Sequence, residues 1–303
     1  MSAVATGPVV AQRRRLTSRS LAPYLFVLPN MVVFALFTIW PAINGLNLSF
    51  YDSSDGLHFK PVGLGNYSAI LSDSQFWQVV QHTVLFTVGF VALSTVLATA
   101  LALVLNSQRR ARGGISAAYF LPVLIAPVVV GIIWRSALDP RTGLVNLALG
   151  AVGLPQPQWL TQPGPTLAAI ILVGTWIHLG FYAMIVLSGL QAIDGSLYEA
   201  ARIDGSSAWQ SVRLITLPLL RPTLMVVIIL ATIAGFQAFD FIYTLTGGGP
   251  VGATTLIVQY IYDNGFSYPI EYGLASAAAV ILFVVVFVVT FANYVIGRRS
   301  DSI

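Results

Sequence analysis

The clearest motif in the chain lies within residues 193–218, where two segments have the spacing of a helix-capping box. Ser196 stands three residues before Glu199, and Ser207 stands three residues before Gln210. In such a box the two side chains accept hydrogen bonds from backbone N–H groups that have no partner in the first turn of a helix. The spacing therefore predicts that two helices begin close together in this segment.

Gly205 lies between the two boxes, where a helix can end in a left-handed residue. The pattern predicts a short helix over about 197–204, a turn at Gly205, and a second helix from about 208 towards Pro218. A helix–turn–helix of this kind offers a surface to a partner protein.

Residue patterns of known enzymes are missing from the sequence. There is no Gly-x4-Gly-Lys-Ser/Thr phosphate loop, and the single lysine, Lys60, follows Phe59. The three histidines (His58, His82 and His178) lack metal-ligand spacing, and the chain has no cysteine. We expect no catalytic residue, no metal and no cofactor in this chain, which leaves an integral-membrane enzyme as a weaker alternative.

Composition indicates a membrane protein. Of the 303 residues, 56% are hydrophobic and 9% are charged, whereas about a quarter of a soluble domain is charged. A helical span needs about 20 mostly apolar residues, and backbone groups in lipid must bond within their own segment. We predict an all-α fold with six transmembrane helices, at 21–50, 83–105, 115–134, 166–190, 223–239 with a continuation to about 245, and 274–296.

Lysine and arginine positions predict the orientation, because these residues concentrate in cytoplasmic segments. With both termini inside, the four inside segments hold 12 of the 15 basic residues: Arg13, Arg14, Arg15, Arg19, Arg109, Arg110, Arg112, Arg202, Arg213, Arg221, Arg298 and Arg299. Only Lys60, Arg135 and Arg141 fall outside. The positive charge is thus a topological signal spread over four segments, and we expect no nucleic-acid partner. The first span is too long for a signal peptide.

Few polar residues fall inside the predicted spans. They include Asn47 in the first, His178 in the fourth, and Gln237 and Asp240 in the fifth. Intramembrane polar groups are costly and often functional. If the fifth span is one helix, Gln237 and Asp240 share a face. Two hypotheses stay open: these side chains line a translocation path together with Phe239, or Asp240 and His178 tie helices together at about 1 kcal/mol each.

The motif in residues 193–218 has a known parallel. Glu199-Ala200-Ala201, Gly205 after three residues, and Ile215-Thr216-Leu217-Pro218 after nine more fit the pattern Glu-Ala-Ala-x3-Gly-x9-Ile-x-Leu-Pro. The chain resembles the permease subunits of binding-protein-dependent ABC importers, in which this pattern marks the EAA loop. Other segments resemble carbohydrate-importer permeases of the MalF/UgpA type: Leu28-Pro29, Trp40-Pro41, 48–50, 62–67, 120–122, 243–250 and 260–262. No large outside domain is evident, so the chain is closer to plain six-span members, including those for glycerol 3-phosphate and its diesters.

This resemblance implies a type I ABC importer permease fold with a cytoplasmic coupling loop at 193–218. In the family, the short helix of that loop docks on a separate ATPase subunit, which binds ATP and Mg. Carried over to this sequence, the docking residues are Glu199, Ala200, Ala201, Arg202, Asp204 and Gly205. The implied partners are a second homologous permease, two ATPase subunits and an extracytoplasmic solute-binding protein, at the bacterial inner membrane.

The resemblance leaves the solute open. It implies a permease domain over 21–297 between cytoplasmic tails at 1–20 and 298–303, and a solute that is a sugar or short oligosaccharide, or glycerol 3-phosphate or a glycerophosphodiester. A path for a polyhydroxylated solute needs hydrogen-bonding groups among aromatic rings, which favours Gln237, Phe239 and Asp240. The alternative is a proton-coupled secondary transporter that relays protons through Asp240 or His178. No internal repeat is evident, which weakens that alternative.

Overall fold

The structure, a computed structural model, describes residues 18–53, 55–107 and 119–300. Several predictions fall outside these residues: most of the basic N-terminal tail, the inside arginines Arg109, Arg110 and Arg112, the start of the third span at 115–118, and the end of the C-terminal tail. The chain divides into two compact units, Met1–Asn47 and Leu48–Ile303.

The first unit holds a continuous helical run made of α1 (Ser18–Phe34), a π-helical turn (Ala35–Ile39) and the start of α2 (Trp40–Leu48). Pro41 has no N–H to donate to the preceding turn, and the helix widens just before it, so that the Trp40 N–H bonds the Ala35 carbonyl five residues back. Residues Tyr24–Leu48 are long and apolar enough to cross a membrane. The helix predicted for the first span is confirmed.

The second unit is a bundle of helices with one small antiparallel ribbon. Its elements are β1 (Tyr51–Asp52), β2 (Lys60–Pro61), α3 (Gly65–Ser72), α4 (Ser74–Ser107), α5 (119–124), α6 (Pro127–Ala137), α7 (Leu144–Ala151), α8 (Pro163–Gln191), α9 (Gly195–Ile203), α10 (Ala208–Ser211), a π-helical turn (Val212–Thr216), α11 (Leu217–Phe236), α12 (Asp240–Thr246), α13 (Ile257–Phe266) and α14 (Tyr272–Ser300). Helices α4, α8 and α14 cover the second, fourth and sixth predicted spans. Together with the first run and Ala208–Phe236, they make five helices of membrane-crossing length and composition in the described residues.

The core of this unit lies between α4, α8 and α11. Phe86 and Phe90 of α4 stack at 5.7 Å between ring centroids and are buried against α8. Small residues allow the helices to approach closely, as is usual for helix pairs in membranes. A Cβ on Gly235 of α11 would lie 2.8 Å from the Thr87 side chain of α4, and one on Gly180 of α8 would meet the backbone of Tyr119 in α5.

Two predicted spans are not the continuous helices expected. The third is broken between α5 and α6, because Pro127 offers no N–H and holds Ala126 in an extended conformation at ψ 129°. The fifth ends at Phe236 and resumes as α12 after a break at 237–239. Helices α6 and α12 pack together, and a Cβ on Gly131 of α6 would lie 2.6 Å from the Phe241 carbonyl oxygen of α12.

The predicted outer loops contain short helices. α3 lies in the first, α7 in the second and α13 in the third, and α14 packs against α13 and α3. Residues 247–250 form a tight turn, with positive φ at Gly247 and Gly248 and a 2.7 Å bond from Thr254 Oγ1 to the Gly249 carbonyl.

Candidate functional site

The loop helix α9 begins earlier than predicted. Asp194 is its N-cap, and its Oδ1 accepts the Ser196 N–H at 2.9 Å. The predicted capping box of Ser196 and Glu199 is therefore wrong, because the aspartate two residues earlier satisfies the free donor first. The bond to the Ser196 N–H also lowers the pKa of Asp194 below 3.8. Glu199 is left free of a capping role and exposed on the helix.

The turn after α9 has the predicted geometry. Gly205 has φ +77°, its N–H bonds the Arg202 carbonyl at 3.1 Å, and the Ser206 N–H bonds the Ala201 carbonyl at 2.9 Å. A glycine is favoured here because left-handed backbone is strained for residues that carry a Cβ. The second capping box is confirmed: the Gln210 N–H bonds Ser207 Oγ at 3.3 Å, and the Ser207 N–H bonds Gln210 Oε1 at 2.8 Å.

The second helix of the loop is continuous with the fifth span, which the sequence did not predict. Ala208–Phe236 form one helical run, so the helix that follows the turn at Gly205 continues directly into a membrane-crossing segment. The run contains the π-helical turn Val212–Thr216 just before Pro218. Pro218 has no N–H to donate to the Leu214 carbonyl. The backbone hydrogen bonds of the helix therefore shift locally to a spacing of five residues, as in the bond from the Leu217 N–H to the Val212 carbonyl.

Helix α9 is held against this run by a hydrogen bond and by a small buried residue. The Tyr198 hydroxyl lies 3.0 Å from Thr216 Oγ1, which joins α9 to the π-helical turn. Ala201 is the buried residue of α9, at 8% exposed. A cleft of about 570 Å³ between α9 and the ends of α4 and α8 is lined in part by Glu199 and Arg202.

The residues predicted for docking are exposed, apart from Ala201. Glu199, Ala200, Arg202, Asp204 and Gly205 are all exposed. The helix–turn–helix and the π-helical turn that follows it also carry large exposed apolar side chains that the sequence did not single out: Ile203 at 86% exposed, Trp209 at 70% and Leu214 at 68%. Exposed apolar side chains that gather in one place mark interaction surfaces. The sequence offered this signal, since Ile203 and Trp209 are large apolar residues within the helix–turn–helix and Leu214 follows it.

The predicted path residues cluster at the break between α11 and α12. Gln237 is the C-cap of α11 and Asp240 is the first residue of α12, so they do not share a helix face as expected. Both are exposed, and within the part of the chain that is described neither side chain has a hydrogen bond. Phe239 lies between them, with its ring 5.2 Å from that of Tyr243.

His178 lies in α8, and Asn47 lies in α2, in the first unit of the chain. His178 Nδ1 lies 2.9 Å from the Gly174 carbonyl of its own helix, and its ring packs on those of Phe90 and Tyr182. These contacts fit the structural hypothesis for His178. Asn47 is exposed and closes the first unit of the chain.

A second cavity, of about 470 Å³, lies between α3, α13 and the start of α14. Asp73, Asp263 and Glu271 line it, and the Tyr260 hydroxyl lies 3.5 Å from Asp73 Oδ2. Burial raises the pKa of Tyr260 to about 12 and also raises the pKa of Asp263. Among the described residues no group of three or more His, Cys, Asp or Glu side chains is arranged to hold a metal ion.

Comparison with known proteins shows the family to which the sequence is similar. Residues 94–302 match the sequence profile of the family described as binding-protein-dependent transport system inner membrane component. The trehalose/maltose transport system permease protein MalF of Thermococcus litoralis is 37% identical over 92% of this chain and 94% of its own length. The lactose transport system permease protein LacF of Rhizobium radiobacter is 34% identical over 91% of this chain and 94% of that protein.

A third relative and a solved structure agree with these matches. The sn-glycerol-3-phosphate transport system permease protein UgpA of Agrobacterium fabrum is 33% identical over 88% of this chain and 92% of its own length. A chain of a bacterial ABC transporter involved in the import of the acidic polysaccharide alginate superposes with a TM-score of 0.80, at 27% identity over 93% of this chain and 96% of that chain.

Proposed function

Because the chain belongs to the family of binding-protein-dependent transport system inner membrane components, we propose that it imports a carbohydrate-type solute as the permease subunit of an ABC importer. The observation that carries this proposal is the exposed helix–turn–helix of α9 and α10, joined without interruption to a membrane-crossing helix. It combines a surface for a partner with a rigid connection to the membrane.

The chain is a multi-pass membrane protein with five long apolar helices in its described residues. We infer a sixth crossing formed by the broken pair α5 and α6, which places both termini in the cytoplasm. Non-helical backbone is tolerated at membrane depth where it is buried in protein or lines a water-filled cavity. The packing of α6 against α12 and of α5 against α8 supplies such a protein environment.

The proposed complex has four further parts. A second, homologous permease completes the pore, two ATPase subunits bind ATP and Mg and dock on α9, and an extracytoplasmic binding protein delivers solute. A binding-protein partner is supported by one solved relative, an alginate ABC transporter in complex with an alginate pentasaccharide-bound periplasmic protein. The family implies the inner membrane as its location.

Coupling is proposed to run through Glu199, Ala200, Ala201, Arg202, Asp204 and Gly205. The small, exposed Ala200 lets another surface approach closely, Ala201 packs α9 against the rest of the permease, and the exposed Ile203 and Trp209 add apolar area that a partner can bury. ATPase closure moves α9, and the continuous run Ala208–Phe236 carries that movement to the break at 237–239, where Gln237, Phe239 and Asp240 meet the solute.

Proton coupling is the weaker candidate. His178 bonds the carbonyl of its own helix and packs between aromatic rings, an arrangement suited to holding helices together. The likeness to a chain of a solved bacterial ABC transporter also favours ATP coupling.

The test is co-purification and ATPase activity of the complex in lipid, for wild type and Glu199→Arg. Reversing the charge of an exposed residue inside a docking surface is expected to cost at least about tenfold in ATPase retention. The matched control is Glu271→Arg, which alters the only other glutamate of the chain, on the predicted outer side. Glu271→Arg should retain the ATPase.

Two outcomes would count against the proposal. If Glu199→Arg retains the ATPase and its stimulated rate, Glu199 is not part of the docking surface. If no ATPase co-purifies with the wild-type chain under conditions that keep it folded, the importer proposal fails. Uptake driven by a proton gradient then becomes the hypothesis to test.

A further inference from the structure

Helix α9 has few attachments to the rest of the described chain. Among the described residues, no other helix packs along it over an extended surface. A cleft of about 570 Å³ lies between it and the ends of α4 and α8. The turn that follows α9 depends on Gly205, which has φ +77° and open space around it. With these features alone, α9 would be free to swing about that turn.

Two linked hydrogen bonds join α9 to the following helical run at a second point. The Thr216 hydroxyl donates to the Ser211 carbonyl at 3.3 Å, and its Oγ1 lies 3.0 Å from the Tyr198 hydroxyl. A threonine hydroxyl has a single hydrogen. Because that hydrogen goes to Ser211, the Tyr198 hydroxyl donates to Thr216 Oγ1. We call this arrangement the Tyr198 link. Thr216 is buried and Tyr198 is half-buried, which limits competition from water.

The Tyr198 link lies at a distance from the turn on both of the helices that it joins. Tyr198 is seven residues before Gly205, and Thr216 is eight residues after Ala208, where α10 begins. At 1.5 Å per residue these separations are about 10 Å and about 12 Å. A bond this far from a hinge opposes swinging with a long lever arm. While the bond holds, the two helices move together.

The Tyr198 link is attached where the helical run turns into α11. Thr216 is the last residue of the π-helical turn, and α11 begins at Leu217. The Leu217 N–H and the Thr216 side chain each bond a carbonyl five residues back, at Val212 and Ser211. The wide turn that precedes Pro218 is therefore also the place where α9 is held. Local π-helical turns often occur at functional sites.

We propose that the Tyr198 link makes α9 and the membrane-crossing run Ala208–Phe236 move as one body when the ATPase acts on α9. Tyr198 and Thr216 are positioning residues, since they act through α11 and not on nucleotide or solute. Without the link, α9 swings about the turn at Gly205. ATP hydrolysis then continues while less of the movement reaches the break at 237–239. This inference rests on the proposed import function and names the contact that transmits the movement.

The experiment detects movement within this chain and needs no knowledge of the solute. The sequence contains no cysteine, so Gln237→Cys, at the exposed C-cap of α11, supplies its only thiol. The rate at which a maleimide labels this thiol is measured in the lipid-embedded complex with its ATPase subunits, with and without ATP and Mg. ATP hydrolysis is measured in the same samples. In this reporter chain, ATP should change the labelling rate.

Tyr198→Phe in the reporter chain removes one hydroxyl and keeps the ring. The ATPase should be retained in full. The ATP-dependent change in labelling should shrink by about 2- to 10-fold, the factor that corresponds to one net hydrogen bond. Thr216→Val should shrink it at least as much, because the bond to Ser211 is lost as well. The double variant should be no worse than Thr216→Val alone, since the two hydroxyls form one contact.

Three matched variants separate the link from a general loss of hydroxyl groups. Thr216→Ser keeps the hydroxyl and should keep the response to ATP. Ser211→Ala removes a hydroxyl that bonds the Ser207 carbonyl and leaves the Ser211 backbone carbonyl in place. Tyr67→Phe removes a tyrosine hydroxyl that lies 2.7 Å from Ser49 Oγ, outside the coupling loop. Both of these variants should respond to ATP as the reporter chain does.

The outcomes separate the Tyr198 link from the import function. If no ATPase co-purifies with the reporter chain or with wild type, the import function fails and the inference with it. If the ATPase is present, the link is overturned by an ATP response that is absent in the reporter chain or undiminished in Tyr198→Phe. It is also overturned if Thr216→Ser fails as Thr216→Val does, or if the two single effects add in the double variant. Loss of the ATPase in Tyr198→Phe overturns it too, and assigns Tyr198 to the docking surface.

Discussion

The substitution Gly205→Ala tests how much the left-handed backbone at residue 205 costs in free energy when the residue carries a Cβ. Gly205 has φ +77°, and a Cβ built on it meets nothing within 4 Å, so steric overlap contributes nothing. What remains is the cost of left-handed backbone for an L-residue, about 1–2 kcal/mol. That loss destabilises the turn that joins α9 to α10 and raises the population of the opened loop by a factor of about 5 to 30.

The assay is amide hydrogen exchange of the permease in lipid, followed by mass spectrometry over residues 195–211. The N–H groups of residues 205 and 206, which bond the carbonyls of Arg202 and Ala201, should exchange about 5 to 30 times faster in Gly205→Ala than in wild type. Gly205→Asn should show a smaller increase, because asparagine tolerates left-handed backbone better.

Gly195→Ala is the matched control for this prediction. Gly195 also has open space around it, lies at the start of α9, and does not have a positive φ. Alanine favours the helix there by up to about 1 kcal/mol, so exchange should stay the same or slow down. Equal exchange in wild type and Gly205→Ala, or faster exchange in Gly195→Ala as well, would refute the reasoning from backbone conformation.

Three further predictions test other parts of the molecule. Gly131→Ala should destabilise the fold by about 1–3 kcal/mol, because the alanine methyl would meet the Phe241 backbone carbonyl of α12, which no change of rotamer can move. The measurement is a detergent-unfolding titration. An unaltered unfolding midpoint would contradict the packing of α6 on α12. The backbone N–H of His58, the His58 ring at 2.6 Å and the backbone N–H of Leu57 all bond the Asp55 carboxylate and lower its pKa below 3.8, and the carboxylate in turn raises the pKa of His58 above 6.5. The side-chain pair therefore contributes fully between these two ordinary values, is lost as pH rises through the raised His58 pKa, and is lost in acid as Asp55 is protonated. Asp55→Asn should lower the His58 pKa measured by NMR, and an unmoved value would exclude the pair. Tyr198→Phe removes the hydrogen bond to Thr216 and should weaken the packing of α9 on the π-helical turn by about 0.5–1.5 kcal/mol. The measurement is amide hydrogen exchange in α9, which should become faster. Unchanged exchange would mean that this hydrogen bond does not stabilise α9.

Features that depend on neighbouring residues could be predicted from the sequence. Runs of about 20 apolar residues locate α4, α8 and α14, because burial in lipid is a property of each segment by itself. The turn at Gly205 and the box of Ser207 and Gln210 are also local, since their hydrogen bonds reach no further than five residues along the chain. The motif that carries the family resemblance lies in this same local segment.

Some local competition was resolved only by the structure. Asp194 and Ser196 are both suitable caps for α9, and the aspartate takes the position. The break at 237–239 follows residues 223–236, which are apolar and contain no proline, so the sequence predicted a continuous fifth span. The break in the third predicted span does have a sequence signal, at Pro127, which the apolar composition of that stretch concealed.

The contacts beside the break at 237–239 were decided by tertiary structure. The rings of Phe239 and Tyr243 pack on that of Tyr262, from helices separated by a turn at 247–250, and no spacing in the sequence pairs them. Their contact depends on where α12 rests against α6, and that depends on a glycine, Gly131, small enough to let two backbones meet. The sequence by itself therefore determined which segments cross the membrane and where the coupling loop turns, because hydrophobicity and capping act over a few residues. Only the folded chain decided which side chains meet beside the break at 237–239, because close packing joins residues that lie far apart in the sequence.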